Sequence, residues 1–585
     1  MKKLLSLLLL LFSFSSFSPA VYAAERTTHP DASIGGLKAP HIATRNPEAS
    51  PFSGSVTIDK IIYPLLSTPA IKKSGSTLTL QVDTKGDVPS NWNVIVKDKE
   101  DSPTKQQVSL PVQNVSKGTS YWHKSESIYD VTVSLPTTLR DQLYNVLVTY
   151  DTKGKTITDE QPNALQIVTA FKKDFRFIHL SDIHVGSPRN LSDLRNAKEA
   201  GFWHPQENKR WLYLQKTIQE VNLLKPDFVV LTGDLVYGQL NPLEYTYEYK
   251  EAFRMLKKFN VPVYVVPGNH DLYAQDAMLT DGAKYWSQYF GPSYYSFDYG
   301  PYAHMVGYNS YDWNTFDRQG HSGLFVPTWG GQVRQDQLNW LKEDWQKTKK
   351  SPDQVRAMFS HHNPLWKDRD IWPASDAKVA SFWKEYDQQH NPQRLSTLIK
   401  GQFLGLKYDQ QWHGEGADDL IKLMHDNDVT LALHGHTHAD HITEKDGILY
   451  ATTASIELDG KPWVGYRIFQ KKTNQPSFTS YVYEGTHASQ PVYANGISYE
   501  GTMSLEAIYA QANDGTQKQQ TVTLTNRFHE DMTVTVPLYL AQGTYRVSDG
   551  TIKTNEAVGT IQKLEVVITI PKNSSKTIQV TPAGT

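Results

Sequence analysis

The rhythm of apolar and polar positions changes twice along the chain. From about Phe52 to Ala170, apolar residues alternate with polar ones in short runs. Examples are Thr77-Leu-Thr-Leu-Gln-Val82, Trp92-Asn-Val-Ile-Val96, Tyr129-Asp-Val-Thr-Val-Ser134 and Leu143-Tyr-Asn-Val-Leu-Val-Thr-Tyr150, separated by Gly, Pro, Asp and Ser clusters. A period of two with such punctuation predicts an antiparallel β-sandwich over residues 52–170. From about Phe171 the period lengthens. Unbroken apolar runs (Phe175-Arg-Phe-Ile-His-Leu180, Phe228-Val-Val-Leu231, Val261 to Val266) alternate with stretches such as Lys209 to Leu224. There Trp211, Leu212, Leu214, Ile218, Val221 and Leu224 recur at helical spacing. Strand–helix alternation predicts right-handed crossovers and a parallel core, an α/β domain over residues 171–485. Further helices are predicted at Tyr249 to Phe259, Gln335 to Lys350 and Ala417 to Asn427. A hairpin is predicted at Tyr294 to Asn309, and strands at Gln354 to Ser360 and Val429 to Leu433. After a Gly-, Pro- and Ser-rich linker, residues 486–585 return to short alternating runs, predicting a second small β-sandwich.

The ends and the composition add an address. A chain of 585 residues exceeds what one core serves, so several domains are expected. Met1-Lys-Lys, the apolar run to Phe12 and Val21-Tyr-Ala23 read as a secretory signal over residues 1–23, cut after Ala23. That run is far short of the ~20 residues needed to span a bilayer. Residues 24–51 lack periodicity and read as a flexible leader. Removing Lys2 and Lys3 takes the formal charge from -2 to -4, and no basic face argues for nucleic acid or an anionic membrane. Cysteine is absent, which excludes disulfides and thiolate ligands, so any metal must rest on nitrogen and oxygen donors. The expectation is an extracellular protein, secreted or associated with the cell wall.

Five apolar strands end in Asp, His or Asn. The junctions are Ser181-Asp-Ile-His184, Gly233-Asp234, Gly268-Asn-His-Asp271, His361-His-Asn-Pro364 and His434-Gly-His-Thr-His438. Each alone is an ordinary polar turn. Five at the carboxyl ends of strands in one α/β domain, where such sheets place their chemistry, indicate one convergent site.

These blocks, in this order, resemble the calcineurin-like metallophosphoesterase superfamily, whose pattern is Asp-x-His, Gly-Asp, Gly-Asn-His-Asp/Glu, a later His and Gly-His-x-His. The resemblance implies a four-layer αββα catalytic domain, here flanked by the two β-sandwiches. It implies two divalent transition-metal ions (Mn, Fe, Zn or Co). One would be held by Asp182, His184, Asp234 and His438, the other by Asp234, Asn269, His362 and His436, with Asp234 bridging. His362 is preferred to His361 because the family spacing is His-x-Pro, completed by Pro364. His361 is left to a substrate contact or a supporting role, and His434 to a structural one. The resemblance further implies attack by a metal-bridging hydroxide on a phosphate ester. His270 would assist the leaving oxygen, and Asp271 would orient its ring.

Gly233-Asp-Leu-Val-Tyr237 also spells the Gly-Asp-x-x-Tyr of purple acid phosphatases, but those carry glycine where His184 stands. Tyr237 is therefore read as a packing residue, and the chain as closer to the Asp-x-His phosphodiesterases. Long aromatic loops (Arg189 to His204, Leu365 to Trp372, Gln411 to His413) are candidates to roof the pocket. The reading is an exported phosphodiesterase. Its alternatives are a phosphomonoesterase, or a surface-binding protein whose β-sandwiches grip the cell wall around a phosphoesterase scaffold.

Overall fold

The computed structural model describes residues 56–185, 203–236, 242–273, 282–315, 330–367, 412–438, 441–456, 463–473, 503–528 and 530–583. Residue 318 and the short strands Ser33–Ile34, Leu37–Lys38, Thr479–Ser480 and Gly496–Ser498 complete it. The expected signal, most of the expected leader, the loop through Arg189 and Arg195, Tyr237, Trp372, Gln411 and most of the expected Gly-, Pro- and Ser-rich linker lie outside the described residues. Among the described residues no helix is long and apolar enough to cross a membrane.

In the N-terminal region, Thr77–Asp83 has alternating exposed and buried positions, as its period of two demands. It lies in a four-stranded antiparallel sheet with Ile61–Tyr63, Ile128–Ser134 and Val112–Lys117. Five further strands form a second sheet in the order Ala70–Lys73, Lys155–Val168, Leu143–Thr152, Ser90–Lys97, Gln107–Leu110. Leu78, Leu80, Val82, Val131 and Val133 from the first sheet share one core with Val94, Val96, Val146, Val148 and Ile167 from the second. The expected antiparallel pairing fails at one edge. Ala70–Lys73 runs parallel to residues 165–168, because the chain leaves the first sheet after Tyr63 and enters the second along an already paired strand.

The central region holds two mixed sheets. One contains β1 (Phe175–Leu180), β2 (Phe228–Leu231) and β3 (Val263–Val265), mutually parallel, with Arg467–Lys471 antiparallel beside β1. The other contains the hairpin β4 (Tyr295–Tyr299) and β5 (Ala303–Gly307), then β6 (Val355–Phe359), β7 (Leu431–His434) and, in chain order, β8 (His441–Lys445) and β9 (Ile448–Thr452). Strands β5, β6, β7 and β9 are parallel. The strands are apolar on both faces because both faces are covered. Phe177, Phe228, Val230 and Tyr264 meet Met305, Ala357, Phe359 and Leu433 in one core between the sheets.

The alternate residues Ile178, Leu180, Val229, Leu231 and Val265 pack with Leu214, Ile218 and Val221 of α1 (Trp203–Leu224) and with Tyr249, Phe253 and Leu256 of α2 (Pro242–Leu256). Val306, Met358 and Ala432 pack with Leu338, Leu341 and Trp345 of the helix Gln335–Lys347 and Leu420 and Met424 of Ala417–Asp426. Helix α1 begins six residues before the predicted Lys209, and the helix Gly282–Tyr289 was not foreseen.

The last strands form a four-stranded sheet (Leu505–Tyr509, Gln520–Asn526, Ser574–Pro582, Tyr545–Val547) and a three-stranded sheet (Met532–Ala541, Ile561–Ile570, Thr551–Val558). Their inner residues Val522, Leu524, Val534, Leu538 and Val566 belong to the same core as α1. The junction is a buried carboxyl. Glu220 of α1 accepts hydrogen bonds from the Tyr466 hydroxyl (2.7 Å) and from the Ser504 and Leu505 N–H groups (2.5 and 3.0 Å). Burial pushes this carboxyl up from 4.5 to about 8, against the pull of those donors.

A folded-state value above the unfolded one means the folded chain binds the proton more tightly. Its contribution is then full below about pH 4.5 and is lost as pH rises through about 8. Thermal melting between pH 6 and 9 is expected to fall more steeply in the wild type than in Glu220→Gln. Parallel curves would contradict this.

Candidate metal centre

The five Asp/His/Asn junctions all follow the carboxyl ends of β1, β2, β3, β6 and β7, and the parallel order of both sheets brings them to one edge. The loops are laced by backbone hydrogen bonds. His184 N–H donates to Asp234 O (3.0 Å), Val185 N–H to Leu235 O (2.8 Å) and, from the second sheet, Gly435 N–H to His361 O (2.9 Å). The approach is too close for side chains at two glycines. A Cβ on Gly435 would fall 1.8 Å from Ser181 Oγ and 2.6 Å from Asp182 Oδ2. One on Gly233, whose φ is +90°, would fall 2.5 Å from Gly268 N.

The backbone is bent to aim its side chains. Asp182, His184, Asp234, His436 and His438 have φ of 53°, 42°, 52°, 73° and 55°, so five of the seven expected ligands sit in the left-handed region. Non-glycine residues there cost on the order of 1–3 kcal/mol each and persist only where the surroundings enforce them.

Ligand atoms of Asp182, His184, Asp234 and His438 lie within 4.8 Å of one another, as do those of His361, His362 and His436. His184 Nε2 is 3.1 Å from Asp234 Oδ2, and His438 Nε2 is 3.3 Å from Asp182 Oδ1. The His436 N–H donates to Asp182 Oδ2 at 3.0 Å, joining the two sheets through a carboxylate. Both carboxyls are buried, which opposes ionisation. The imidazoles nonetheless hold them ionised: His361 and His438 keep Asp182 below its usual range, and His361, His270 and a hydrogen bond from His184 keep Asp234 well below. Burial, followed by neighbouring His362 and His361, keeps His436 neutral, the form that binds metal.

Asn269 is fully buried, and neither its Oδ1 nor its Nδ2 has a hydrogen-bond partner among the described residues. An unsatisfied interior amide costs about 1–3 kcal/mol, and coordination of a cation by its oxygen removes that cost. The donor set, two carboxylates, several neutral imidazoles and an amide, fits divalent transition metals held by nitrogen and oxygen.

Three expectations are revised. His361, assigned to a supporting or substrate-contact role, stands in the cluster itself. Its Nδ1–H donates to Thr232 O at 2.7 Å, and its Nε2 faces Asp234 Oδ2 at 3.1 Å and His436 Nδ1 at 3.2 Å. A ring nitrogen anchored on a carbonyl with the other aimed inward is the posture of a metal-binding imidazole. His362 is held differently: Ser310 Oγ lies 3.0 Å from its Nδ1 and accepts from its backbone N–H at 2.8 Å. Ser310 follows β5, a sixth strand end outside the five motif blocks.

Asp271 does not hold the His270 ring. Its Oδ1 accepts from the Leu235 and Val236 N–H groups (2.9 and 3.1 Å) and its Oδ2 from Gly268 N–H (2.8 Å), tying the β2 and β3 loops together. His270 Nδ1 instead meets the Tyr273 hydroxyl at 3.2 Å.

The third revision concerns the pocket roof. Trp366 and Trp412 are buried packing residues and offer no stacking face. His434 is buried, with its Nδ1 3.2 Å from Ser360 Oγ.

Residues 175–440 match the family described as calcineurin-like phosphoesterase. Over 206 residues the chain is 26% identical to the probable glycerophosphodiester phosphodiesterase GpdQ of Arcobacter nitrofigilis, covering 32% of this chain and 57% of that one. Over 97 residues it is 29% identical to the DNA double-strand break repair protein Mre11 of Methanococcus maripaludis, covering 17% of this chain and 23% of that one. The chain thus spans less than two thirds of either relative. Among solved structures, GAP50, the anchor in the inner membrane complex of Plasmodium, aligns over 53% of this chain and 89% of its own at 12% identity. Its TM-score is 0.30. It is residues 175–440, which hold all five Asp/His/Asn junctions, that match the calcineurin-like phosphoesterase family.

Proposed function

We propose that the protein is an exported hydrolase of phosphodiesters that works with two divalent metal ions. The observation that carries the reading is the convergence of Asp182, His184, Asp234, His361, His362, His436 and His438 at one sheet edge, with the unsatisfied amide of Asn269 between them in sequence. Asp182, His184, Asp234 and His438 would hold one ion; Asp234, Asn269, His362 and His436, with His361 in reach, would hold the other. The ions would supply acidified water and positive charge at the phosphoryl oxygens.

The chain's own groups do the rest. With only Asp182 and Asp234 as anionic ligands against two divalent ions, the site would stay cationic toward an ester. His270 is half-exposed beside this buried cluster, its ring 4.5 Å from that of His184, and it passes a proton to the leaving oxygen. The GpdQ relative, named as a probable phosphodiesterase, favours a diester over a monoester.

We read the central region as the four-layer αββα domain and the flanking sheet pairs as β-sandwiches that associate with the cell wall after secretion. Chelator-stripped protein is expected to hydrolyse bis(p-nitrophenyl) phosphate only after Mn2+ or Co2+ is restored, and faster than p-nitrophenyl phosphate. A higher rate on the monoester would favour the phosphomonoesterase, and no turnover of either would favour a binding protein.

A further inference from the structure

We propose that Tyr273 is a positioning residue for leaving-group protonation, acting through His270. This deepens the phosphoesterase reading and rests on it. Residues 269–273 divide their work by exposure: Asn269, Asp271, Leu272 and Tyr273 are buried, and His270 alone is half-exposed at the rim of the cluster. The acidic neighbour Asp271 does not grip the His270 ring: its oxygens accept from three backbone N–H groups.

The grip comes from Tyr273. Its hydroxyl lies 3.2 Å from His270 Nδ1, the two ring centroids are 5.2 Å apart, and its backbone N–H closes the turn on Asn269 O at 3.0 Å. Tyr273 is itself fixed edge-on by Tyr311, at 6.4 Å, and Tyr311 stacks at 6.2 Å over His362. An aromatic row therefore runs from the proton donor to the metal cluster. The phenol can donate to Nδ1 of the neutral ring, which places its proton on Nε2, and its oxygen can accept from Nδ1–H of the imidazolium, so the imidazolium, the acid form, is held with Nε2–H as the proton to be given.

The step balances without another reactant. A water-derived oxygen forms a bond to phosphorus while the bond to the leaving oxygen breaks. That oxygen keeps the electron pair and takes the Nε2 proton of the imidazolium, and the neutral ring left behind regains a proton from solvent.

The test is a series of aryl methyl phosphodiesters whose phenols differ in acidity, run on metal-loaded wild type, Tyr273→Phe and His270→Ala. A proton donor matters little to an acidic phenol and greatly to a basic one. Tyr273→Phe is expected to leave the most acidic phenol within about twofold and to lower kcat for the least acidic about tenfold to a hundredfold, with KM unchanged. The dependence on phenol acidity should steepen toward that of His270→Ala, and adding Tyr273→Phe to His270→Ala should change nothing more. A second reading needs no metal: 15N spectra of histidine-labelled protein should show His270 protonated on Nε2 in the wild type and mixed in Tyr273→Phe. A uniform loss across the series, or an unchanged tautomer, would overturn the role of Tyr273 alone. A wild type inactive on every ester would overturn the phosphoesterase reading and this one together.

Discussion

Asp234→Asn is expected to abolish hydrolysis, lowering kcat by about a thousandfold or more, with the protein still folded. Asp234 reaches both halves of the cluster. Its Oδ2 faces His184 Nε2 at 3.1 Å from one half and His361 Nε2 at 3.1 Å from the other. Asparagine keeps the shape, and its amide oxygen can still accept the His270 N–H that Oδ1 accepts at 2.9 Å. What it loses is the anion that two cations would share. Removing a shared anionic ligand withdraws several kcal/mol of charge stabilisation, and about 4 kcal/mol corresponds to roughly a thousandfold in rate. Activity of the variant within tenfold of wild type, at saturating Mn2+, would contradict the bridging assignment.

The second large effect concerns stability. Phe177→Ala is expected to cost about 3–5 kcal/mol, the usual range for truncating a buried phenylalanine. Phe177 is fully buried between the sheets, its ring stacked on Phe228 at 5.1 Å and on Phe469 at 4.9 Å, both within 8° of parallel. Alanine would open a void bounded by rigid aromatics that cannot collapse into it. Because β1 also carries the Asp182 loop, the variant should lose metal affinity along with its calorimetric transition. A cost below about 1 kcal/mol would mean that the sheets do not depend on this core.

The central fold was legible because burial on both faces writes unbroken apolar runs. The strands Phe228–Leu231 and Val355–Phe359 lie where those runs predict, to within a residue or two. The location of the site was legible for a related reason. In a parallel set all carboxyl ends share one edge, which gathers three polar junctions in one sheet and two in the other, and the packing of the two sheets brings the sets together. Which atoms meet was not legible.

His361 and His362 are neighbours in sequence, yet one anchors on the Thr232 carbonyl of the other sheet and the other on Ser310, partners 129 and 52 residues away. Asp271 looked like the natural holder of His270 because it is adjacent. The turn after β3 instead sends its carboxyl into three backbone N–H groups and leaves Tyr273 to reach the ring. Left-handed backbone at Asp182, His184, Asp234, His436 and His438 was not legible either: Asp and His enter that region more often than most non-glycine residues, but too seldom for residue type alone to predict it.

The central claim is that these loops form one centre for two ions that share Asp234. Calorimetric titration of Mn2+ into chelator-stripped protein tests it most directly. The account predicts two ions per chain in the wild type, one tight ion remaining in Asn269→Ala, and neither bound tightly in Asp234→Asn. A single ion in the wild type, or two ions bound undiminished by Asp234→Asn, would contradict it.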